Sequence, residues 1–277
     1  MTREIAVLVS TFQRPQHLLR CLASIEMQRG VEGRFEVVVT DDGSTDSTLD
    51  MVRAIARRVS FPLKYTTHEH DDFRLARCRN EGVAASTAPY LLFTDGDCVL
   101  PQDHLAVHLR ARRQRCVVGS DCLRLGERES ARVDVEVIRN GNVGALVSYR
   151  ESMRIGGKAL RAKFGEWFQV PMRPRLTGNN IAMWRSDFER INGFDERFVG
   201  WGLEDRDLQL RIEGAGIQIK SILWRSPTFH LWHPQEKSFA RNNIGTRNWT
   251  LFHREDHPVI CFDGLKKTAA VASMRSN

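Results

Sequence analysis

Residues 90–97 read Tyr-Leu-Leu-Phe-Thr-Asp-Gly-Asp. An apolar run of strand length, Tyr90 to Thr94, stops abruptly at two carboxylates held apart by one glycine. A short continuous apolar run is what a strand buried on both faces requires. Two carboxylates on a turn at its end can converge on one hard divalent cation. A cation held there can bridge two phosphate groups and offset their charge. An Asp-Gly turn without a ligand is the alternative reading of Asp95-Gly96-Asp97, and the triplet alone leaves both open.

Working outward, the same grammar repeats. Ile5 to Val9, Phe35 to Thr40, the short Leu63 to Thr66 and Cys116 to Ser120 read as strands. Between them, helical patterns run over Arg14–Met27, Ser47–Val59, Leu75–Ala85 and Gln102–Arg113. This alternation predicts an α/β fold, a mostly parallel central sheet with helices on both faces. Ligands of such sheets bind beyond the carboxyl ends of the strands. Three polar clusters fall at those ends: Ser10-Thr11-Phe12, Asp41-Asp42-Gly43-Ser44 and Asp95-Gly96-Asp97. In the second, Gly43 makes a turn and Ser44, Thr45 or Asp46 can cap the next helix. Capping leaves the doubled acid unexplained, and a carboxylate there can accept from a base N–H or a ribose hydroxyl.

From Asp121 to Pro174 the pattern weakens, and the segment reads as an insertion with helical pieces, a mobile cover. Regular signals return at Gly178–Trp184, followed by a short helix capped by Ser186. Gly200, Trp201 and Gly202 then lead into Glu204 and Asp205, and Leu203, Leu208, Leu210 and Ile212 announce a helix. Helix N-termini favour negative charge, so an ionised Asp beside an aromatic platform suits a general base acting on a hydroxyl. A plain capped helix with an acidic first turn is the other reading. A last strand pair, Ile217–Ile222 and Thr228–Leu231, precedes a polar stretch from Lys237 to Asn248, and the final dozen residues read as a frayed tail. With no repeat and no linker, one domain is expected.

An apolar fraction of 42% over 277 residues excludes extensive disorder. The longest apolar runs fall short of a membrane span, and Ile5–Val9 begins too early to leave room for a signal peptide, so a cytoplasmic protein is expected. Six cysteines without a C-x-x-C pair read as reduced, buried thiols, Cys98 near the site included. The net charge of +7 is concentrated: residues 150–175 carry seven Lys or Arg against Glu151 and Glu166. Such charge suits nucleic acid, anionic lipid or a phosphorylated substrate. No helix-turn-helix, zinc-finger or RNA-binding signature accompanies it, so no nucleic-acid partner is expected. Phe164, Trp167 and Phe168 among the cations give two readings of 150–175: a peripheral contact at the inner face of the membrane, or a solvated cover over the active site.

Val9-Ser10-Thr11-Phe12-Gln13-Arg14-Pro15, Asp41-Asp42-Gly43-Ser44-Thr45-Asp46 and Thr94-Asp95-Gly96-Asp97, in that order, resemble inverting family 2 glycosyltransferases. These have the Rossmann-like GT-A fold and use nucleotide-diphosphate sugars. Ile191-Asn192-Gly193-Phe194 and Gly200-Trp201-Gly202-Leu203-Glu204-Asp205-Arg206-Asp207 are similar to the acceptor and catalytic segment of β-1,4-galactosyltransferases and chondroitin-type N-acetylgalactosaminyltransferases. The likeness covers most of residues 3–235. It implies a GT-A domain over 1–235, with a nucleotide-binding half at 1–120, the insertion at 121–175 and an acceptor half at 176–235. Residues 236–277 follow as a C-terminal loop and tail. One departure is visible: Leu203 stands where a second glycine is usual.

Carried over by position, the resemblance implies that Asp42 contacts the uracil of a UDP-sugar, helped by Ser10, Thr11, Phe12 and Arg14. Arg74 and Asn80 belong to the nucleotide or its diphosphate. Asp95, with Gly96, lies near the ribose and metal, and Asp97 is a direct metal ligand. One of His230 and His233 completes the metal site; a His ligand favours Mn²⁺ over Mg²⁺. Gly178 and Asn179 line the donor-sugar pocket, with Trp201 and Gly202 between sugar and acceptor. Asp205 is the base and Glu204 binds hydroxyls. Arg74, with Lys237 or Arg241, stabilises the leaving diphosphate. The implied reaction is a metal-dependent, inverting transfer of a hexose or N-acetylhexosamine to a hydroxyl of a glycan, lipid-linked saccharide or natural product. A sugar nucleotidyltransferase would carry a Gly-rich loop after the first strand, and Ser10–Arg14 has none. A non-catalytic nucleotide-sugar-binding module would not need Asp42, Asp95, Asp97 and Asp205 together. A glycoside hydrolase has no use for a metal turn.

Overall fold

Every residue of β1 (Ile5–Thr11) is buried, as are those of β2 (Phe35–Asp41). A strand with both faces covered needs helices above and below, and the chain supplies them: α1 (Pro15–Glu26) after β1 and α2 (Thr48–Ala56) after β2. The computed structural model describes residues 2–168, 175–235 and 244–267. β3 (Leu63–Thr67), α3 (Leu75–Ala85) and β4 (Tyr90–Asp95) complete the nucleotide-side half. β5 (Cys98–Val99), α4 (His104–Ala111), β6 (Cys116–Gly119) and β7 (Cys122–Arg124) follow. Short helices α5 (Glu127–Ala131) and α6 (Val135–Arg139) and a 3₁₀ turn (Asn142–Leu146) lead to the long α7 (Tyr149–Trp167). The second half contains β8 (Ile181–Trp184), α8 (Arg185–Arg190), α9 (Glu204–Gly214), β9 (Gln218–Ser221), β10 (Thr228–His230) and α10 (Arg247–Phe252).

The large sheet has the order β3-β2-β1-β4-β8-β6-β9. β1 pairs in parallel with β2 and β4, so Ser10 lies beside Thr40 on one side and Asp95 on the other. This register brings the three polar clusters to one edge. Side chains alternate across the strands. Ile5, Val7 and Val9 pack with Leu18, Leu22 and Ile25 of α1, while Ala6 and Leu8 meet Ala76 and Val83 of α3 and Leu208 and Ile212 of α9. The predicted α/β architecture with a mostly parallel sheet is present.

Several local expectations are corrected. β8 runs antiparallel to both β4 and β6. β9 and β10 do not pair with each other. β9 extends the large sheet beside β6, and β10 is the middle strand of a second sheet, β5-β10-β7. Ser186 lies inside α8, whose cap position is Trp184, with no side-chain cap bond. None of the three capping candidates occupies the cap position of α2, which is Ser47 and has no side-chain cap bond; Asp46, one residue earlier, accepts from the Thr48 N–H at 3.0 Å. The first part of the insertion is anchored: Leu125, Val133, Ile138 and Val143 form a buried cluster with Val99 and Leu231. Lys266, the first residue of the expected tail, does not fray, since its N–H bonds Asn192 Oδ1 at 2.8 Å. Lys237 and Arg241, and residues 268–277 of the expected tail, lie outside the described residues. All six cysteines are buried and unpaired. Among the described residues no helix is long and apolar enough to cross a membrane.

Candidate active site

A cavity of about 1250 Å³ lies beyond the carboxyl end of β4 and against the start of α9. Its walls include Arg79, Asp95, Gly178, Asn179, Trp201, Glu204, Asp205 and His230. The glycine between the two acids of the β4 turn is there for clearance. Its N–H donates to the Ser10 carbonyl at 2.7 Å, and a Cβ would sit 3.1 Å from both that oxygen and Thr11 Oγ1.

Asp97, His230 and His233 place one ligand atom each within 4.8 Å of one another. His233 Nε2 lies 3.2 Å from Asp97 Oδ2 and His230 Nε2 lies 3.6 Å from Asp97 Oδ1. Both imidazoles therefore join the group, where one was expected. β10 delivers His230, the Leu231 N–H bonds the Asp97 carbonyl at 2.9 Å, and the chain then turns His233 back to the same carboxylate. Burial opposes ionisation of Asp97, but His230, His233 and Arg14 outweigh it and hold the carboxyl well below its usual range. One carboxylate and two imidazoles fit a divalent first-row cation better than Mg²⁺, which prefers an all-oxygen shell. Asp95 stands outside this group: its Oδ1 accepts from Arg79 Nη2 at 3.2 Å.

Arg79 escaped the sequence reading. It is almost wholly buried, its Nη1 donates to Glu204 Oε1 at 3.2 Å, and its guanidinium lies over the Phe194 ring. One cation thus ties the β4 turn to the start of α9. It also explains Gly178, where a Cβ would come within 2.2 Å of Arg79 Nη2. Burial first, then the neighbouring Asp205, push the Glu204 carboxyl up to about 7 against the pull of Arg79. Asp205 accepts from the Gly178 N–H at 3.3 Å. Asn179 accepts from Thr177 Oγ1 at 3.0 Å.

The loop before α9 is strained at Leu203, where the resemblance led to a glycine being expected. Gly200, Gly202 and Leu203 all have positive φ, and Leu203 reaches 77° in the left-handed region that favours glycine. Asn248, from the segment read as a polar tail, pins this loop. Its Nδ2 donates to the Gly202 carbonyl at 2.9 Å and its Oδ1 accepts from the Val199 N–H at 3.2 Å. Trp201 keeps 39% of its surface exposed at the cavity wall.

The nucleotide-side residues are more enclosed than expected. Asp42 is 2% exposed, and its carboxylate accepts from His68 Nε2 at 2.8 Å and from the Arg74 N–H at 3.2 Å. Burial raises its carboxyl, and these donors oppose the shift. A base N–H reaches Asp42 only by joining or displacing them. His68 also contacts Glu81 at 2.9 Å through Nδ1, and His70 stacks on Phe12 with ring centroids 4.2 Å apart. Neither histidine was anticipated. Asp41 is structural, accepting from the Ser44 N–H and from Thr67 Oγ1. Two expected nucleotide contacts are otherwise engaged. The Arg74 guanidinium pairs with Asp71. Asn80, buried, bonds the Phe194 backbone N–H and carbonyl and Glu196 Oε1, so it braces the loop after α8.

Comparison with known proteins identifies the family. The model of glycosyl transferase family 2 matches residues 6–150, more than half of the chain. That of the N-terminal domain of galactosyltransferase matches residues 166–233. Validoxylamine A glucosyltransferase of Streptomyces hygroscopicus subsp. limoneus is 32% identical over 237 residues, covering 77% of this chain and 48% of the relative. The chain spans about half the length of the curated relatives it matches. Among solved structures, a mannosyltransferase from Pyrobaculum calidifontis in complex with GDP-Man and Mn²⁺ superposes with a TM-score of 0.58 at 20% identity, over 85% of this chain and 59% of that one. S. aureus TarS 1–349 in complex with UDP-GlcNAc gives 0.58 at 17%, over 85% and 60%. The chain belongs to glycosyl transferase family 2 and carries the GT-A fold.

Proposed function

We propose that the chain moves a hexose or N-acetylhexosamine from a UDP-sugar to an acceptor hydroxyl with inversion at the anomeric carbon. The observation that carries this reading is the single span from Asp97, His230 and His233, across Asp95 and Arg79, to Glu204 and Asp205. The cation-binding group reaches the cavity through His230, and the pair of acids lines it, as a diphosphate leaving group and an attacking hydroxyl require.

Asp97, His230 and His233 would hold Mn²⁺, which when bound offsets the charge growing on the departing diphosphate. Asp42, with Ser10, Thr11 and Phe12, forms the nucleoside side, and Arg14, 3.3 Å from Asp97 Oδ2, stands with the cation group. Gly178, Asn179, Trp201 and Gly202 shape the space for donor sugar and acceptor. Asp205 takes the acceptor proton as the hydroxyl oxygen attacks the anomeric carbon from the face opposite the diphosphate. One such displacement inverts the centre. Glu204, held by Arg79, carries hydroxyl hydrogen bonds and keeps a negative field beside the developing oxocarbenium. The glucosyl transfer named for the 32% identical relative makes UDP-glucose the first donor to assay. A panel of UDP-sugars, read as metal-stimulated UDP release, with NMR of the product's anomeric configuration, tests the reading. Transfer with inversion is expected; retention, or no UDP release from any donor, would overturn it.

A further inference from the structure

Among the described residues, six of the twelve exposed large apolar side chains lie between 149 and 168, so the outer surface of α7 is where exposed apolar area concentrates. They are Tyr149, Met153, Leu160, Phe164, Trp167 and Phe168, with Tyr149 80% and Trp167 78% exposed. At about 100° per residue, the first five fall within one arc of about 60°. Phe168 extends that arc, its ring centroid 4.2 Å from that of Phe164 with the planes tilted by 34°. Ile155 and Gly165, the buried residues of the helix, lie on the opposite face. A Cβ at Gly156 or Gly157 would meet nothing within 4 Å. Arg150 and Arg161 border the stripe on one side, while Arg154 on the same side is held by Glu151 and Asp121. Arg150 and Arg161 enter no ion pair with the described residues.

We propose that the outer face of α7 docks onto anionic lipid headgroups, its aromatic and aliphatic stripe in the interface and Arg150 and Arg161 on the phosphates. An apolar stripe with Trp and Phe, bordered by Lys and Arg and backed by a narrow buried seam, is what a helix lying in the interface plane requires. Local charge complements an anionic leaflet, each cation adding attraction within a Debye length. A second copy fits less well, because antiparallel two-fold pairing would set these arginines beside their own copies. The inner side of α7, with Arg154, Lys158, Ala162 and Gly165, lines the cavity, and Arg161 stands at the boundary between that cavity and the stripe. Docking therefore sets that cavity beside the lipid surface, a place suited to a lipid-linked acceptor. The docking itself does not depend on the sugar-transfer reading.

Co-sedimentation of the full chain with vesicles tests it, using phosphatidylglycerol mixed equally with phosphatidylcholine against pure phosphatidylcholine. Strong binding to the anionic vesicles is expected, weakening as salt rises from about 50 to about 500 mM. Leu160→Ser with Trp167→Ser should lower that binding about tenfold or more. Both side chains are exposed, so an unchanged thermal melt is expected to accompany the loss. Three results would overturn the proposal: no binding to the anionic vesicles at low salt, binding insensitive to the double substitution, or a dimer in sedimentation velocity that the substitution dissolves.

Discussion

Replacing Arg79 with Met removes the buried cation and keeps most of its volume. Arg79 makes two charge-assisted bonds at 3.2 Å, to Asp95 and to Glu204. Each such bond is worth about 1.5–3 kcal/mol. Removing one partner of a buried ion pair costs about 3–5 kcal/mol, because the remaining charge stays buried. Here two acids are left. Glu204 is already raised to about 7 by burial and by Asp205, and Asp95 is raised by burial against the pull of Arg79. A carboxyl raised in the folded state contributes stability that is present below its unfolded pKa and lost as pH rises through its folded pKa. For native Glu204, from 4.5 to about 7, that loss is about 3 kcal/mol. Without Arg79 both acids rise further, so the variant loses more than the native protein at high pH. Urea denaturation should show a loss of about 3–5 kcal/mol at pH about 8, shrinking to about 1–2 kcal/mol at pH about 5, where the acids are protonated. An equal loss at both pH values, or a loss under about 1 kcal/mol at pH 8, would refute the bridging role.

Other consequences can be measured separately. Asp205→Asn should cut the transfer rate about 10²- to 10⁴-fold and leave UDP affinity nearly unchanged; more than a tenth of the activity surviving would rule it out as the base. His230→Ala and His233→Ala should each weaken Mn²⁺ binding by at least the roughly 10–100-fold that even an outer-shell partner is worth, read by titration with the metal alone. A variant with native affinity would remove that histidine from the site. Leu203→Gly should lie within about 1 kcal/mol of the native stability, since relief of about 1–2 kcal/mol of left-handed strain offsets the glycine's entropy. Leu203→Val keeps the positive φ and adds a branched Cβ, so its denaturation midpoint should fall below both, and equality with glycine would deny the strain. Glu204→Gln should flatten the native stability loss between pH about 4.5 and 7, and an unchanged pH–stability curve would mean Glu204 is not the titrating group.

The nucleotide-side half was legible because β1, β2 and β4 are buried on both faces, and burial of that kind writes a continuous apolar run. Strand direction leaves no such mark. β8 runs antiparallel with the same apolar pattern a parallel strand would show. β5 and β7 hold two and three residues, too few for any period, and their sheet exists only because β10 arrives from more than 100 positions away. The acids of the site were visible as doublets at strand and helix ends. Arg79 was not, since it reads as one arginine in a helix until Asp95 and Glu204 close on it. His68 and Asn248 were hidden for the same reason: each matters through a partner distant in the chain. Asn80 stood near the right motif but faces the loop it braces. Leu203 was legible as a departure from the expected glycine, and its positive φ lies in the region that glycine adopts most readily.

The claim on which the account rests most heavily is that Asp97, His230 and His233 form a cation site serving a nucleoside diphosphate. Calorimetric titration with UDP, in the presence and absence of Mn²⁺, addresses it directly. Binding that requires Mn²⁺, and that Asp97→Asn abolishes, is the predicted result. UDP binding of equal strength without the metal, or surviving unchanged in Asp97→Asn, would contradict it.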